Sequence, residues 1–370
     1  MIWLAYFVLG FLALRLLVAI TNIATRQWLK HGKPQGNALV SVLIPARNEE
    51  QNIKHLLQSL KKQDYPNLEI LVYDDLSEDR TAEIVKKLAL EDPRIKLVSG
   101  VGLPAGWLGK NHACHQLSKH ARGRYLLFID ADVTAEPELI SQALAHLQKH
   151  KLALLSIFPQ QIMKSFGERI TVPLMNWILV SLLPLIFTRI SPWVSFSAAN
   201  GQFMLFDAGI YGKHQFHQMV KGQKVEDIII FRKLKQLGIK GHTILSNGQV
   251  KCRMYKGFRE AIEGFSKNVF EFFGNSSLLT VFMALLTTFG FVPVYLGLGP
   301  EFAIAWLAGV ILLRLLVAYA SRQSILQSIL LLPLQQLAFF LVILAAIRVR
   351  IRGRSTWKGR TVLESVAVII

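Results

Sequence analysis

Hydrophobic positions along this chain come in two patterns. Towards the ends they run almost unbroken: residues 2–20 are apolar apart from Arg15, and residues 278–298 and 325–347 carry no charge. Each of these runs is long enough to cross a bilayer. In between, short apolar runs bounded by polar turns alternate with stretches whose apolar residues recur at helical spacing. Residues 39–44, 68–73, 95–99 and 125–129 read as buried strands, and the stretches up to residue 60, 81–90, 110–121 and 137–150 read as helices. Asn48 is placed to cap the first of these helices. Strands follow at 153–158, 202–206, 239–245 and 250–255, with a helix at 225–237. Alternating β and α predicts an α/β domain with a parallel, doubly wound sheet. Residues 258–273 place Phe258, Ile262, Phe265, Val269 and Phe273 near one helical face, which predicts a helix lying along a membrane surface. Residues 171–199 are apolar but broken by Pro173, Pro184, Arg189 and Pro192. A full crossing there would separate Asp132 from the later acids, so the stretch reads as interfacial or re-entrant.

Composition turns the terminal runs into a statement about class. Of 370 residues, 52% are hydrophobic, and the mean hydropathy is +0.37, so this is a membrane protein. The first run lacks a basic region before it, and Arg26, Lys30 and Lys33 follow it. It therefore reads as a retained anchor over 1–25 with those cations in the cytoplasm. A cytoplasmic domain over 38–275, a membrane region over 276–347 and a basic tail over 348–370 complete a multi-pass cell-membrane protein. The tail carries Arg348, Arg350, Arg352, Arg354, Lys358 and Arg360 against Glu364 alone, which places it in the cytoplasm. One of three C-terminal apolar segments must then fail to cross. The first choice is 302–320, because Arg314 lies inside it; 325–347, with Pro333, Gln335 and Gln336, is the second. A net charge of +18 with no aromatic RNA-binding motif or zinc-finger spacing points to anionic lipid and nucleotide-sugars, and away from nucleic acid. Cys114 and Cys252 are not expected to form a disulfide on the cytoplasmic side. His112, Cys114 and His115 fall on different faces of one helix, which argues against a metal site.

The candidate chemistry lies where strands end. The run 125–129 leads directly into Asp130 and Asp132, and in an open α/β sheet ligands collect at that end of the strands. Two carboxylates there can hold Mg²⁺ or Mn²⁺, with diphosphate oxygens completing the shell; the alternative is a solvated turn. Asp74 and Asp75 close the second strand, and Glu226 and Asp227 open a helix, where acids also complement the helix dipole. Lys110 starts a helix and is placed either to meet a phosphate or to stand in solvent.

Taken in order, the segments VSVLIPARNEE, YDDLSEDRT, FIDADV and VED resemble the family 2 glycosyltransferases, whose fold is GT-A, a nucleotide-diphospho-sugar transferase fold with a Rossmann-like, mostly parallel sheet. GWLGKNHACHQL, SAANGQFMLF, RMYKGFREAIEGFSKN and WKGR resemble the membrane-bound branch associated with carotenoid and hopanoid glycosylation. The resemblance covers about residues 38–275 and implies roles. Asp75 would bond the nucleobase, with Pro45 and Glu49 lining the same pocket, and a carboxylate facing the uracil imide favours a UDP-sugar donor. Asp132, with Asp130, would hold the metal, Asp130 also meeting ribose or sugar hydroxyls. Lys110 and Arg253 would contact the diphosphate. Asp227 would be the general base in an inverting transfer of one sugar to a lipid acceptor. Processive members carry Gln-x-x-Arg-Trp after the base, whereas here Gln249 and Arg253 are spaced differently and no tryptophan follows. That departure argues against a processive polysaccharide synthase, and the intact acids argue against a non-catalytic membrane scaffold or transport protein.

Overall fold

The computed structural model describes residues 1–352, 354–357 and 360–363, the last two stretches by backbone only. Lys358, Gly359 and Glu364 of the basic tail lie outside the described residues. Contacts divide the chain into an apolar unit (1–26, 161–184 and 254–370) and an α/β unit (27–160 and 185–253).

In chain order the helices are α1 (Ile2–Ala24), α2 (Ile53–Lys61), α3 (Thr81–Glu91), α4 (Gly109–His120), α5 (Leu139–His150) and α6 (Phe166–Thr171). Next come α7 (Pro173–Leu182), α8 (Ile186–Ile190), α9 (Ala208–His214), α10 (Phe216–Met219), α11 (Glu226–Gln236) and α12 (Phe258–Ser266). The last are α13 (Ser277–Phe289), α14 (Phe291–Leu298), α15 (Pro300–Ala320), α16 (Ile325–Leu330) and α17 (Leu332–Arg352). The strands are β1 (Val40–Ala46), β2 (Leu68–Asp74), β3 (Ile95–Ser99), β4 (Tyr125–Ile129), β5 (Val133–Ala135) and β6 (Leu154–Phe158). They continue with β7 (Gln160–Gln161), β8 (Phe203–Asp207), β9 (Gly241–Leu245), β10 (Val250–Cys252), β11 (Arg354–Trp357) and β12 (Arg360–Leu363).

In the α/β unit seven strands form one sheet in the order β3-β2-β1-β4-β8-β6-β9. β1 pairs in parallel with β2 on one side and β4 on the other. Its apolar run is buried on both faces, as a parallel strand between helical layers requires. The fold class is the expected α/β, a mostly parallel sheet with helices, and one strand departs from the parallel run. β8 runs antiparallel to both β4 and β6. No crossover helix brings it back from β6 in the usual right-handed βαβ manner; the chain between them leaves the unit at residue 161 and returns at 185. Behind this sheet lies a core of Leu43, Leu71, Tyr73, Leu126, Phe128, Met204, Phe206, Tyr211, Phe216 and Phe231. Asn48 is not a helix cap. Its φ is +53°, its side-chain oxygen accepts from the Glu78 amide at 2.9 Å, and α2 begins at Ile53 with no side-chain cap.

Among the described residues of the apolar unit three helices, α1, α15 and α17, are long and apolar enough to cross a membrane; α13 and α14 together form a fourth candidate, bent by 56°. α1 and α15 lie side by side and run parallel. A methyl on Gly309 would touch Leu12, and Val8 and Trp306 both face Gly290. The end of α14 returns to the start of α1, where Gly297 faces Ala5 and Ile2. α15 spans the segment 302–320, the first choice for one that fails to cross. Arg314, which motivated it, is 4% exposed and turned into the protein. The run 325–347 is not one helix, since α16 ends before Pro333 and α17 starts anew. From the stretch 171–199, α7 has ten residues, too short to cross. The expected helix over 258–273 breaks after Ser266 into a 3-10 turn at Val269–Phe273. α12 packs against α6 and α17 and buries Ala261 and Phe265, while Phe258 at its start stays exposed.

Candidate active site

From β1 the chain builds β2 and β3 to one side, then places β4 on the other, so the β1/β4 boundary is the switch point of the sheet. The loops at the carboxyl ends of β1, β2 and β4 carry the predicted residues. Asp74 pairs with Ala46 in the ladder, and the Asp75 amide donates to the Ala46 carbonyl at 2.8 Å. Asp75 is buried. Arg47 fastens the loop by donating to the Asp75 and Leu76 carbonyls at 2.6 and 2.9 Å. The Glu49 amide donates to the Thr81 hydroxyl at 2.7 Å, and the Glu50 amide to Asp79 at 3.0 Å. The two loops of the expected nucleotide pocket, one with Pro45 and Glu49 and the other with Asp75, are therefore one interlocked piece.

Beyond β4, the two acids have different environments. Oδ1 of Asp132 is buried and has no hydrogen-bond partner among the described residues. The Cys252 thiol donates to the same carboxylate, and Gln202 Nε2 donates to Cys252 Sγ at 2.8 Å. Burial, reinforced by Asp130 and Glu49, pushes the Asp132 carboxyl up to about 7. Asp130 instead meets Lys110, whose Nζ lies 2.9 Å from its Oδ2 and 3.2 Å from Oε1 of Glu226. Burial disfavours the charge on Lys110, but these two carboxylates outweigh it and hold the ammonium protonated well above its usual range.

Asp227, next to Glu226, accepts the Gly201 amide on Oδ2 and the Ile228 amide on Oδ1, both at 2.8 Å. Burial and the Glu226 charge push its carboxyl up to about 7 against the pull of Lys110 and the two amides. A Cβ on Gly201 would stand 2.9 Å from Lys110 Nζ and 3.2 Å from Glu226, so a side chain there would displace one of these charged groups. Asp130, Asp132, Glu226, Asp227 and Lys110 thus come together, and Glu49 is near enough to Asp132 to act on its proton. Arg253 follows Cys252 directly in the chain. Among the described residues no group of three or more His, Cys, Asp or Glu is arranged to hold a metal. Mg²⁺ and Mn²⁺ commonly take one or two carboxylates and fill the remaining positions with substrate oxygen, so a buried, unpartnered oxygen on Asp132 fits such an ion. His112 and His115 both pack against the Trp107 ring, with ring centroids 5.5 and 5.0 Å away.

Sequence reasoning placed Lys110 by its helix alone and missed what positions it. Asn111 donates through one amide nitrogen to the carbonyls of Val220, Lys221 and Gln223, at 2.8, 3.2 and 2.9 Å. The Leu108 amide donates to the Lys221 carbonyl at 2.8 Å. The start of α4 is thereby tied to the loop that leads into α11, which sets Lys110 beside Glu226. Cys252 and Gly201 were missed as well. Gly201 does lie in the SAANGQFMLF segment, but no spacing rule ties it to Asp227.

Residues 41–206 match the family model described as Glycosyl transferase family 2. A 4,4'-diaponeurosporenoate glycosyltransferase of Staphylococcus haemolyticus is 27% identical over 237 residues, which is 62% of this chain and 60% of that protein. The protein of the same name from Staphylococcus aureus is 29% identical over 266 residues, 70% of this chain and 68% of that one. Among solved structures, a mannosyltransferase from Pyrobaculum calidifontis in complex with GDP-Man and Mn²⁺ aligns with a TM-score of 0.56 at 18% identity. The alignment covers 93% of this chain and 99% of that one. At that identity the likeness speaks for the fold.

Proposed function

From the family 2 glycosyltransferase match over residues 41–206, we propose that the chain is a glycosyltransferase that moves one sugar from a UDP-sugar to a carotenoid-like lipid acceptor at the cytoplasmic face, inverting the anomeric carbon. Asp75 accepts the uracil imide N–H, and Pro45 and Glu49 line the same pocket. Asp132, with Asp130, would hold Mg²⁺ or Mn²⁺, and such an ion would supply positive charge for the leaving diphosphate. Lys110 exchanges part of its contact with Asp130 and Glu226 for a diphosphate oxygen, and Arg253 meets the same group. Asp227 takes the proton from the acceptor hydroxyl as that oxygen bonds to the anomeric carbon and the bond from that carbon to the UDP oxygen breaks. The Gly201 and Ile228 amides hold its carboxylate in one orientation, and a carboxyl titrating at about 7 is matched to base chemistry near neutral pH. The observation that carries the reading is that Lys110 joins the acids after β4 to those opening α11 in one site. The acceptor class is drawn from the name of the two staphylococcal relatives.

The test uses the full chain in membranes, with radiolabelled UDP-glucose, UDP-N-acetylglucosamine or GDP-mannose, Mn²⁺ and a carotenoid acceptor. Label should pass from a UDP-sugar into the organic phase as a product carrying one sugar. Transfer from GDP-mannose alone would overturn the role of Asp75, and label in a polymer would restore the polysaccharide synthase reading.

A further inference from the structure

Two arginines lie within the apolar helices, Arg15 in α1 and Arg314 in α15, and they are 3% and 4% exposed. Because α1 and α15 run parallel, the two side chains arrive at one level, where both meet Trp177 of α7. Their guanidinium carbons stand 4.3 and 4.6 Å from its ring centroid. All three helices belong to the apolar unit. The polar partners there are neutral and few. Arg15 donates from Nε and Nη2 to the Ser181 hydroxyl at 3.1 and 2.5 Å, and Arg314 donates from Nη1 to Gln335 Oε1 at 3.0 Å. Nε of Arg314 is buried with no partner.

A guanidinium carries five N–H donors and cannot shed its charge, so most of this capacity is unused. No carboxylate among the described residues pairs with either arginine. Three acids of the same unit are engaged elsewhere: Glu168 by Ser165 and the Lys164 amide, Glu260 by the Lys256 amide, and Glu263 by Arg259. Two positive charges thus share one indole in an apolar bundle. Cation–π attraction offsets only a fraction of the cost of burying them, and an ionisable residue at membrane depth ordinarily has a partner.

We propose that Arg15, Arg314 and Trp177 form a binding site for the anionic head of one lipid, a phosphate or carboxylate group carried on an apolar chain. Guanidinium forks match the paired oxygens of such a group. Leu14, Leu17 and Leu312 are exposed on the same helices and offer a surface for the chain that carries it. The source is a lipid because this surface is aliphatic and gives a free hydrated anion nothing to bind.

Native mass spectrometry of the full chain, released from lipid nanodiscs, should find one anionic lipid retained. In Arg314→Gln and Arg15→Gln that occupancy should fall roughly tenfold or more, since each variant loses charge-assisted hydrogen bonds. The delipidated native chain should melt at a higher temperature on adding phosphatidylglycerol or oleate than on adding phosphatidylcholine. Selectivity for phosphatidylglycerol assigns the site to phosphate, and selectivity for oleate assigns it to carboxylate. Equal melting in all three lipids, or retention undiminished in both variants, overturns the proposal and leaves the Arg–Trp–Arg stack as a packing strut. If neither variant folds, the melting series on the native chain decides alone.

Discussion

Lys110 is a cation shared by Asp130 and Glu226, so its loss should be felt more in donor binding than in the chemical step. Lys110→Met should raise KM for the nucleotide-sugar by roughly tenfold to a hundredfold, the worth of a charge-assisted hydrogen bond. A change confined to kcat would detach Lys110 from the diphosphate. Asp227→Asn should act in the opposite sense, with donor affinity in calorimetry intact and kcat reduced by about 10²–10⁴-fold. In the native enzyme kcat/KM should rise with pH and level off above about 7, where Asp227 is ionised. A flat profile would move the base elsewhere, Glu226 first. Stability runs the other way. The folded carboxyls of Asp227 and Asp132 sit at about 7, against 3.8 for an ordinary aspartate, so the folded state binds these protons more tightly than the unfolded one. Their contribution is full below about 4 and is lost as pH rises through 7, which thermal melts without metal or nucleotide should show. Asp132→Asn should abolish Mn²⁺-stimulated transfer while raising the melting temperature at pH 8, because it removes the charge that burial disfavours.

At the scale of elements, strands that run into acids were legible because both signals sit within a few residues of each other. Asp75, Asp130 and Asp132 all stand where the apolar pattern stops. What brings α4 to α11 was not legible, because Asn111 and the carbonyls of Val220, Lys221 and Gln223 are more than a hundred residues apart. Any residue with a side-chain amide there has the same local signature. Asn111→Leu should therefore raise KM for the donor and lower kcat together, since it frees both the start of α4 that sets Lys110 beside Glu226 and the loop leading to Asp227; hydrogen exchange at 220–225 should rise in parallel. Helical periodicity over 258–273 was read as one helix because a 3-10 turn keeps a similar spacing of apolar residues over so short a span. The antiparallel β8 was hidden for a different reason: its apolar run looks the same in either direction.

For the whole molecule, the pairing of α1 with α15 carries the topology. If α1 crosses the membrane, α15 crosses beside it in the same sense, and Arg26 and Arg322 emerge on one side. The return of α14 to the start of α1 makes the bent pair the opposing crossing. α17 is then the segment that must not cross for the basic tail to stay in the cytoplasm. A cysteine placed at Ser355 tests this directly, because the native Cys114 and Cys252 are buried. It should resist a membrane-impermeant thiol reagent in intact cells and react after lysis; reaction in intact cells would mean that α17 crosses.

The reversed strand β8 also sets an order of events during synthesis. It lies between β4 and β6, two strands made before it, yet the ribosome must first deliver residues 161–184, which belong to the apolar unit. Until residues 203–207 emerge, the catalytic sheet is split, with the facing edges of β4 and β6 unpaired and open to wrong partners. Completion of the sheet therefore waits on delivery of an apolar segment that belongs to the other unit. A nascent chain stalled at residue 200 should be protease-sensitive throughout 125–158, and one stalled well beyond residue 253 should be protected there.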